Sequence, residues 1–400
     1  MKNMKKAIVT VGAFLLLSQT GVRADELADS YNPIPSSVQM LNIAPEARGT
    51  GMGDAGVAST PDMNSQYWNP AKYIRMQSMG GVTVNVTPWL RNIISDINLF
   101  SMMGYYKINQ RNAVSAGIRY FSLGDLVMYN DRGEEQGSYK PNEFAIDGAY
   151  TLALSERLSG AISMRFIHSD LGFQVDDDGY SKGNAFAADV AFYWKKPIKI
   201  SGYKGDLMFG VNLANIGTKI TYDNGRTNEY LPANFRLGAG LWLDFDEYNR
   251  LGVALDFNKL MVPTPDYDKS DVTKMADDKR LEYYDKSVIS SIFRSFTDAP
   301  GGFKEEMKEF DISGGFEYTY KSMFSARLGY HNNPPDKGNL KYMSAGVGVR
   351  YQMMEVNASY IFAVGNANRN SALANTIRIS LGFDIGMVTN GRSRSGSIRR

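Results

Sequence analysis

Thr376-Ile377-Arg378-Ile379-Ser380-Leu381-Gly382-Phe383-Asp384-Ile385 is the stretch that decides the fold. Its odd positions are apolar and its even positions are polar or small. Successive side chains of a strand point to opposite faces, so one face is wholly apolar and the other carries Arg378, Ser380 and Asp384. The same split recurs upstream. Phe310, Ile312, Phe316, Tyr318 and Tyr320 oppose Asp311, Ser313, Glu317 and Thr319. Phe324, Ala326, Leu328 and Tyr330 oppose Ser325, Arg327 and Gly329. Val356, Ala358, Tyr360 and Phe362 oppose Glu355, Asn357 and Ser359. Phe235, Leu237, Ala239, Leu241, Leu243 and Phe245 oppose Arg236, Gly238, Gly240 and Asp244. About fourteen such segments, each of about ten residues, have the length a tilted strand needs to cross a bilayer. They begin near 80, 98, 112, 142, 158, 184, 204, 234, 249, 309, 323, 340, 353 and 375. The segment near 98 fits worst, because Phe100 and Met102 break its alternation.

The connections alternate short and long. Short ones are Ile108–Arg111, Ser155–Arg157, Asp246–Tyr248 and Tyr320–Ser322. Long ones are Leu123–Pro141, Asp170–Gly183, Ile216–Ala233 and Leu260–Lys308. Membrane barrels have short periplasmic turns and long external loops, whereas a soluble sandwich has no reason to put every long loop at one end. The expectation is an all-β fold, a transmembrane antiparallel β-barrel of about 14 strands. Aromatics at Tyr105-Tyr106, Tyr120-Phe121, Tyr193-Trp194, Trp242, Tyr318, Tyr320 and Tyr351 are expected to form interfacial girdles. The polar face carries both signs, at Arg119, Asp147, Arg165, Asp189, Arg236, Asp256, Arg327, Glu355 and Arg378. Buried charges are costly unless paired, so these read as a lumenal network of ion pairs.

Composition agrees. The 400 residues include 39 Gly and 24 Tyr, a β-rich signature. Forty-four Lys+Arg against 42 Asp+Glu leave no basic excess to neutralise nucleic-acid phosphates. The absence of Cys excludes a disulfide scaffold, thiolate-ligated zinc and a cysteine nucleophile. Mean hydropathy is −0.31, too polar for a bundle of membrane helices.

The N-terminus reads as an export signal over residues 1–24. Lys2, Lys5 and Lys6 precede the apolar run Ala7 to Leu17, and Val22-Arg23-Ala24 offers a cleavage site. That run is well short of the ~20 residues a spanning helix needs. Residues 25–79 precede the first strand and are expected to lie in the lumen. They contain Gly51-Met52-Gly53-Asp54-Ala55-Gly56, which matches the dinucleotide fingerprint letter for letter. The fingerprint requires an apolar strand before the glycines, but Asn42-Ile43-Ala44-Pro45-Glu46-Ala47-Arg48 is polar and broken by proline. The glycines read instead as a tight, closely packed turn.

Ala44-Pro45-Glu46-Ala47-Arg48, the glycine block through Val57-Ala58, and Tyr67-Trp68-Asn69-Pro70-Ala71-Lys72 together resemble the N-terminal signature of the PorV/PorQ family of FadL-like outer-membrane barrels. The resemblance implies that residues 25–79 form a plug, or hatch, packed in the periplasmic half of the lumen, with Gly51, Gly53, Asp54, Gly56, Trp68, Asn69 and Pro70 as its structural motif. Residues 80–386 would then be the barrel and 387–400 a periplasmic tail. It implies an outer-membrane component of the type IX secretion system in a Gram-negative bacterium. Such a protein is not an enzyme and needs no cofactor. It would bind the C-terminal signal domain of cargo at the translocon barrel SprA and deliver it to the attachment complex of the sortase PorU. The remaining partner expected is outer-membrane lipid.

The longest loop, residues 260–308, begins with Asp266, Asp268, Lys269, Asp271, Asp277 and Asp278. Its second half has helical spacing, with Val288, Ile289, Ile292, Phe293 and Phe296 on one face. Exposed, that face marks an interaction site; folded down, it caps the barrel mouth. Asp176-Asp177-Asp178-Gly179 lacks full EF-hand spacing and reads as a solvated loop, so no metal site is expected. Two other functions compete with cargo delivery. A FadL-like channel for hydrophobic small molecules would need an apolar lumenal pocket. A lipid-processing barrel enzyme would need a Ser/His pair on one face. His168 and Ser169 point to opposite faces, and His331 precedes Asn332-Asn333 with no nucleophile in view. Both histidines are expected at the external rim.

Overall fold

The computed structural model describes residues 32–90, 96–129, 132–172, 182–265, 282–364 and 376–386. The expected signal segment, the first residues of the hatch, the C-terminal tail, Asp176–Gly179 and the acidic run from Asp266 to Asp278 lie outside the described residues.

Fourteen strands close one antiparallel barrel. They are β1 (Gly80–Pro88), β2 (Ile97–Lys107), β3 (Asn112–Leu123), β6 (Asn142–Ala153), β7 (Leu158–Asp170), β8 (Gly183–Ile200), β9 (Tyr203–Gly217), β10 (Asn234–Asp244), β11 (Asn249–Leu260), β12 (Phe310–Tyr320), β13 (Phe324–Asn332), β14 (Lys341–Tyr351), β15 (Met354–Ala363) and β16 (Ile377–Asp384). A separate hairpin, β4 (Leu126–Tyr129) with β5 (Glu135–Tyr139), stands on the connection between β3 and β6. Neighbours in sequence are neighbours in the wall, and β1 pairs with β16 to close it. Each strand reaches the next by a short turn at one end and a long connection at the other. The wall begins and ends at the short-turn end, which in such barrels faces the periplasm.

The outward face is apolar. Ile162, Met164, Phe186, Leu328 and Val347 are each more than 60% exposed on the isolated chain, an arrangement that water disfavours and lipid accepts. The inward face is polar and paired. Arg165 lies 2.8 Å from Asp189 and 3.6 Å from Asp147, and Arg327 lies 2.7 Å from Glu317.

Three expectations change. The alternation of β2 fails because both faces are apolar: Phe100 and Met102 face outward, while Leu99 and Met103 are buried against lumenal residues. Of the proposed girdle aromatics, Tyr105, Phe121, Tyr193 and Trp242 are buried inside instead, and Tyr106, Tyr120, Tyr318, Tyr320 and Tyr351 are exposed. His168 is at the rim, but His331 is interior. It stacks on Tyr342 at 4.8 Å, and its Nδ1 is 2.9 Å from Ser313 Oγ on the paired strand. Ser313 is fully buried.

Candidate functional site: a plugged lumen and an apolar external segment

The hatch runs the full height of the lumen rather than filling its periplasmic half. At the long-loop mouth, Asn32 and Ser37 donate backbone N–H groups to the carbonyls of Asp336 and Tyr230. Just below, Val38, Met40, Leu41 and Ile43 pack against Ile97, Leu99, Phe121, Ala145, Ile167 and Ala185 of the wall. At the other end, the Arg75 guanidinium donates to the carbonyls of Ser155, Glu156 and Leu158 in a short turn.

The motif residues lie between. Pro45 leads into a short helix, α1 (Ala47–Gly51), whose N-cap is Glu46. Glu46 accepts from the N–H of Gly49 at 2.6 Å and from the Trp68 indole N–H at 2.7 Å. The Trp68 ring is wedged between glycines: a Cβ on Gly49 would stand 2.7 Å from it, and a Cβ on Gly56 would stand 2.2 Å from it. Gly56 and Val57 give their N–H groups to one oxygen of Asp256 at 2.7 and 2.8 Å. Gly53 has a φ of +73° and lies directly on the backbone of Tyr330, opposite Gly329. Gly51 faces Gly346 in the same way. Asp54 pairs with Arg378 at 3.3 Å. Asn69 caps the turn of 3-10 helix Pro70–Arg75 by accepting from the Ala71 N–H at 3.1 Å, and it donates to Phe192 O at 2.9 Å. Pro70 sits at the first helical position, where its missing N–H is not needed.

The polar face is therefore only partly a set of wall-to-wall ion pairs. Glu317 accepts two bonds from Arg48 of the hatch, each 2.8 Å, as well as one from Arg327. The Arg236 guanidinium lies 4.6 Å from the Tyr67 ring centroid. Below this plug a cavity of about 540 Å³ lies toward the short-turn end, with Arg48, Thr60, Trp242, Glu317 and Arg350 in its wall.

The long loop closes on the outer rim. Its described part contains α2 (Val288–Arg294) and α3 (Phe303–Glu306). The five apolar residues expected on one face divide. Val288 packs on a cluster of Tyr230, Val262 and Tyr283, and Ile292 is half-buried. Ile289 and Phe293 are 68% and 76% exposed, and Phe296 meets Phe235 edge-on at 5.8 Å between centroids. Both earlier alternatives thus hold in part, capping through Val288 and exposure through Ile289 and Phe293. Sequence reading missed what holds the loop down. Lys259 is completely buried under it and ion-pairs with Glu306 at 2.7 Å and with Glu309. Lys337 pairs with Glu305 at 2.6 Å and Glu309 at 2.9 Å. Asp298 joins Glu306 and Glu309 in an acidic cluster already occupied by the Lys259 ammonium. Burial pushes the Asp298 carboxyl above its ordinary range, and Glu309 and Glu306 add to that against the Thr264 N–H. A short polar signal existed, Lys304-Glu305-Glu306-Met307-Lys308-Glu309, but its partners are distant in sequence.

No curated protein sequence matches the chain. Among solved structures, the toluene transporter TodX of P. putida is similar at a TM-score of 0.48 and 9% identity, over 86% of this chain and 99% of that one. The toluene transporter TbuX of Ralstonia pickettii gives 0.46 and 11%, over 84% and 97%. A FadL homologue of Pseudomonas aeruginosa gives 0.40 and 11%, over 88% and 99%. The family model described as type IX secretion system protein PorV matches residues 3–267. That is well over half of the chain, so this outer-membrane β-barrel belongs to the PorV family of the type IX secretion system.

Proposed function

We propose that the protein is a carrier and adaptor. Its external surface binds the C-terminal signal domain of secreted cargo at the translocon barrel SprA and hands that cargo to the attachment complex containing the sortase PorU. The observation that carries the reading is the pairing of a filled lumen with an ordered external apolar segment. The hatch is bonded to the wall on opposite sides, by the Ala47 N–H to Ser380 Oγ of β16 on one and by the Asn69 amide to Phe192 O of β8 on the other. Ile289 and Phe293 are exposed at the outer rim on a loop fixed by buried ion pairs. Held apolar side chains give grip without chemistry. Photocrosslinking residues placed at 289 and 293 in living cells test this. The expected products join the protein to cargo or to the translocon, and Ile289→Ser with Phe293→Ser should leave cargo in the periplasm. Normal secretion by that double variant, with no crosslinked product, overturns the docking role of this segment.

One observation favours the second reading, a channel for hydrophobic small molecules. The upper lumen beside β2, β3, β6 and β7 is lined by Leu99, Phe121, Ala145 and Ile167, and Met40 and Leu41 of the hatch fill it. Withdrawal of the hatch would open an apolar chamber there. Holding the hatch in place separates the two readings.

A further inference from the structure

We infer that the external segment from Ile289 to Lys308 rests in the outer leaflet, with lipid acyl chains and anionic headgroups as its resting occupant. Four features carry this. First, the segment continues the lipid-facing wall. Phe235, Leu237, Leu241 and Leu243 form the outward face of β10, and Phe296 sits edge-on over the first of them at 5.8 Å. At its other end the segment runs into Phe310 and Ile312, the outward residues that open β12.

Second, the height is right. The 11 residues of β10, at about 3.3 Å rise and about 40° tilt, span roughly 28 Å of bilayer normal. That matches a hydrocarbon core of about 30 Å, so Phe235 lies at its outer boundary and the segment in the headgroup layer.

Third, the exposed apolar side chains are large and followed by cations. Phe293 (76% exposed) precedes Arg294, and Phe303 (79%) precedes Lys304. Arg294 and Lys304 are exposed and make no ion pair among the described residues. An aromatic ring in the acyl region with a long cationic side chain reaching to phosphate is the pattern of interfacial helices.

Fourth, both glutamates of this stretch are paired with lysines and Asp298 is half-buried, which limits repulsion of an anionic surface. Asp298 accepts from the Thr264 N–H, Glu305 pairs with Lys337 and Glu306 with Lys259. The burial of Lys259, on the outward face of β11 with Val253 and Leu255, shows that the loop covers this side of the wall.

The inference goes beyond the docking reading and rests on it only for what displaces the lipid: cargo or translocon would have to lift Phe293 and Phe303 out of the leaflet. The chain has no cysteine, so Phe293→Cys and Phe303→Cys each give one attachment point for an environment-sensitive fluorophore in the full-length protein. The labelled protein is reconstituted in vesicles of zwitterionic phospholipid, with and without an anionic phospholipid. Val253→Cys on the wall and Arg226→Cys on an exposed loop are the two references. Expected at 293 and 303 are blue-shifted emission, quenching by spin-labelled lipid near that of the wall reference, and little quenching by iodide. Anionic lipid should increase the lipid quenching, and Arg294→Glu with Lys304→Glu should abolish the increase. Iodide quenching like that of residue 226 overturns the proposal. Quenching that is equal in the two kinds of vesicle overturns the role of the cations. Crosslinking of cargo at 289 and 293 is read separately, so a water-exposed label beside intact cargo crosslinks would sink the lipid reading and leave docking standing.

Discussion

Replacing Trp68 with Ala removes the centre of the hatch. The ring is 3% exposed and lies between Gly49 and Gly56. Truncating a fully buried tryptophan costs ~3–5 kcal/mol through lost transfer energy and the cavity left behind. The indole N–H also holds Glu46 Oε1 at 2.7 Å, and Glu46 is itself completely buried. Leaving that carboxylate short of one donor adds ~1.5–3 kcal/mol, although the two losses overlap and do not simply sum. A total of ~4–6 kcal/mol lowers a thermal midpoint by roughly 5–10 °C. Trp68→Phe keeps most of the packing and loses only the bond, so it should fall by ~1.5–3 kcal/mol. The assay is thermal unfolding of the detergent-solubilised protein by circular dichroism, with protease cleavage within residues 44–79 as a second readout. The reasoning fails if both variants melt with the native midpoint and their hatches are no more easily cut.

Three other substitutions probe separate parts of the structure. Glu317→Gln leaves Arg48 and Arg327 buried without their shared counter-charge; a loss of ~3–5 kcal/mol is expected in the same melt. Gly329→Ala places a Cβ 1.9 Å from Gly53 N, so hatch and wall must separate; a loss of at least ~1–3 kcal/mol should appear, with increased cleavage of the hatch by added protease. Lys259→Met strands Glu306 and leaves Glu309 with Lys337 alone, and limited proteolysis of intact cells should cut within residues 282–309 while the barrel stays folded and heat-modifiable on gels.

The wall was legible in the sequence because lipid and a polar lumen impose opposite demands on alternate residues. Thr376–Ile385 shows this without help from any other strand. The same rule explains where legibility stopped. Leu99 and Met103 are apolar on the inward side because the hatch, not water or an ion pair, lies against them. Tyr193 and Trp242 look like girdle residues by type, and only the pleat tells that they point inward. The hairpin β4–β5 was hidden inside what sequence alone reads as a loop. The glycine block was recognised as a close-packed turn, yet its counterparts, Gly329 and Gly346, were invisible because they depend on strand register. Ser313 and His331 meet for the same reason, 18 positions apart. In the loop, helical spacing grouped five apolar residues correctly by type but could not divide them. The division follows from Lys259, a charge on the outward face of β11 that the loop must cover.

The central claim is that the protein works by its external surface while its lumen stays plugged. A disulfide between hatch and wall tests it directly. A Cβ on Gly117 of β3 would stand 3.3 Å from Gln66 Cγ of the hatch, so Gln66→Cys with Gly117→Cys brings two thiols within bridging distance, in a chain with no other cysteine. Cells carrying this pair are compared under oxidising and reducing conditions for release and surface attachment of cargo. The account predicts equal secretion with the hatch locked or free. Secretion that stops on oxidation and returns on reduction would contradict it, because the hatch would then have to move for the protein to act.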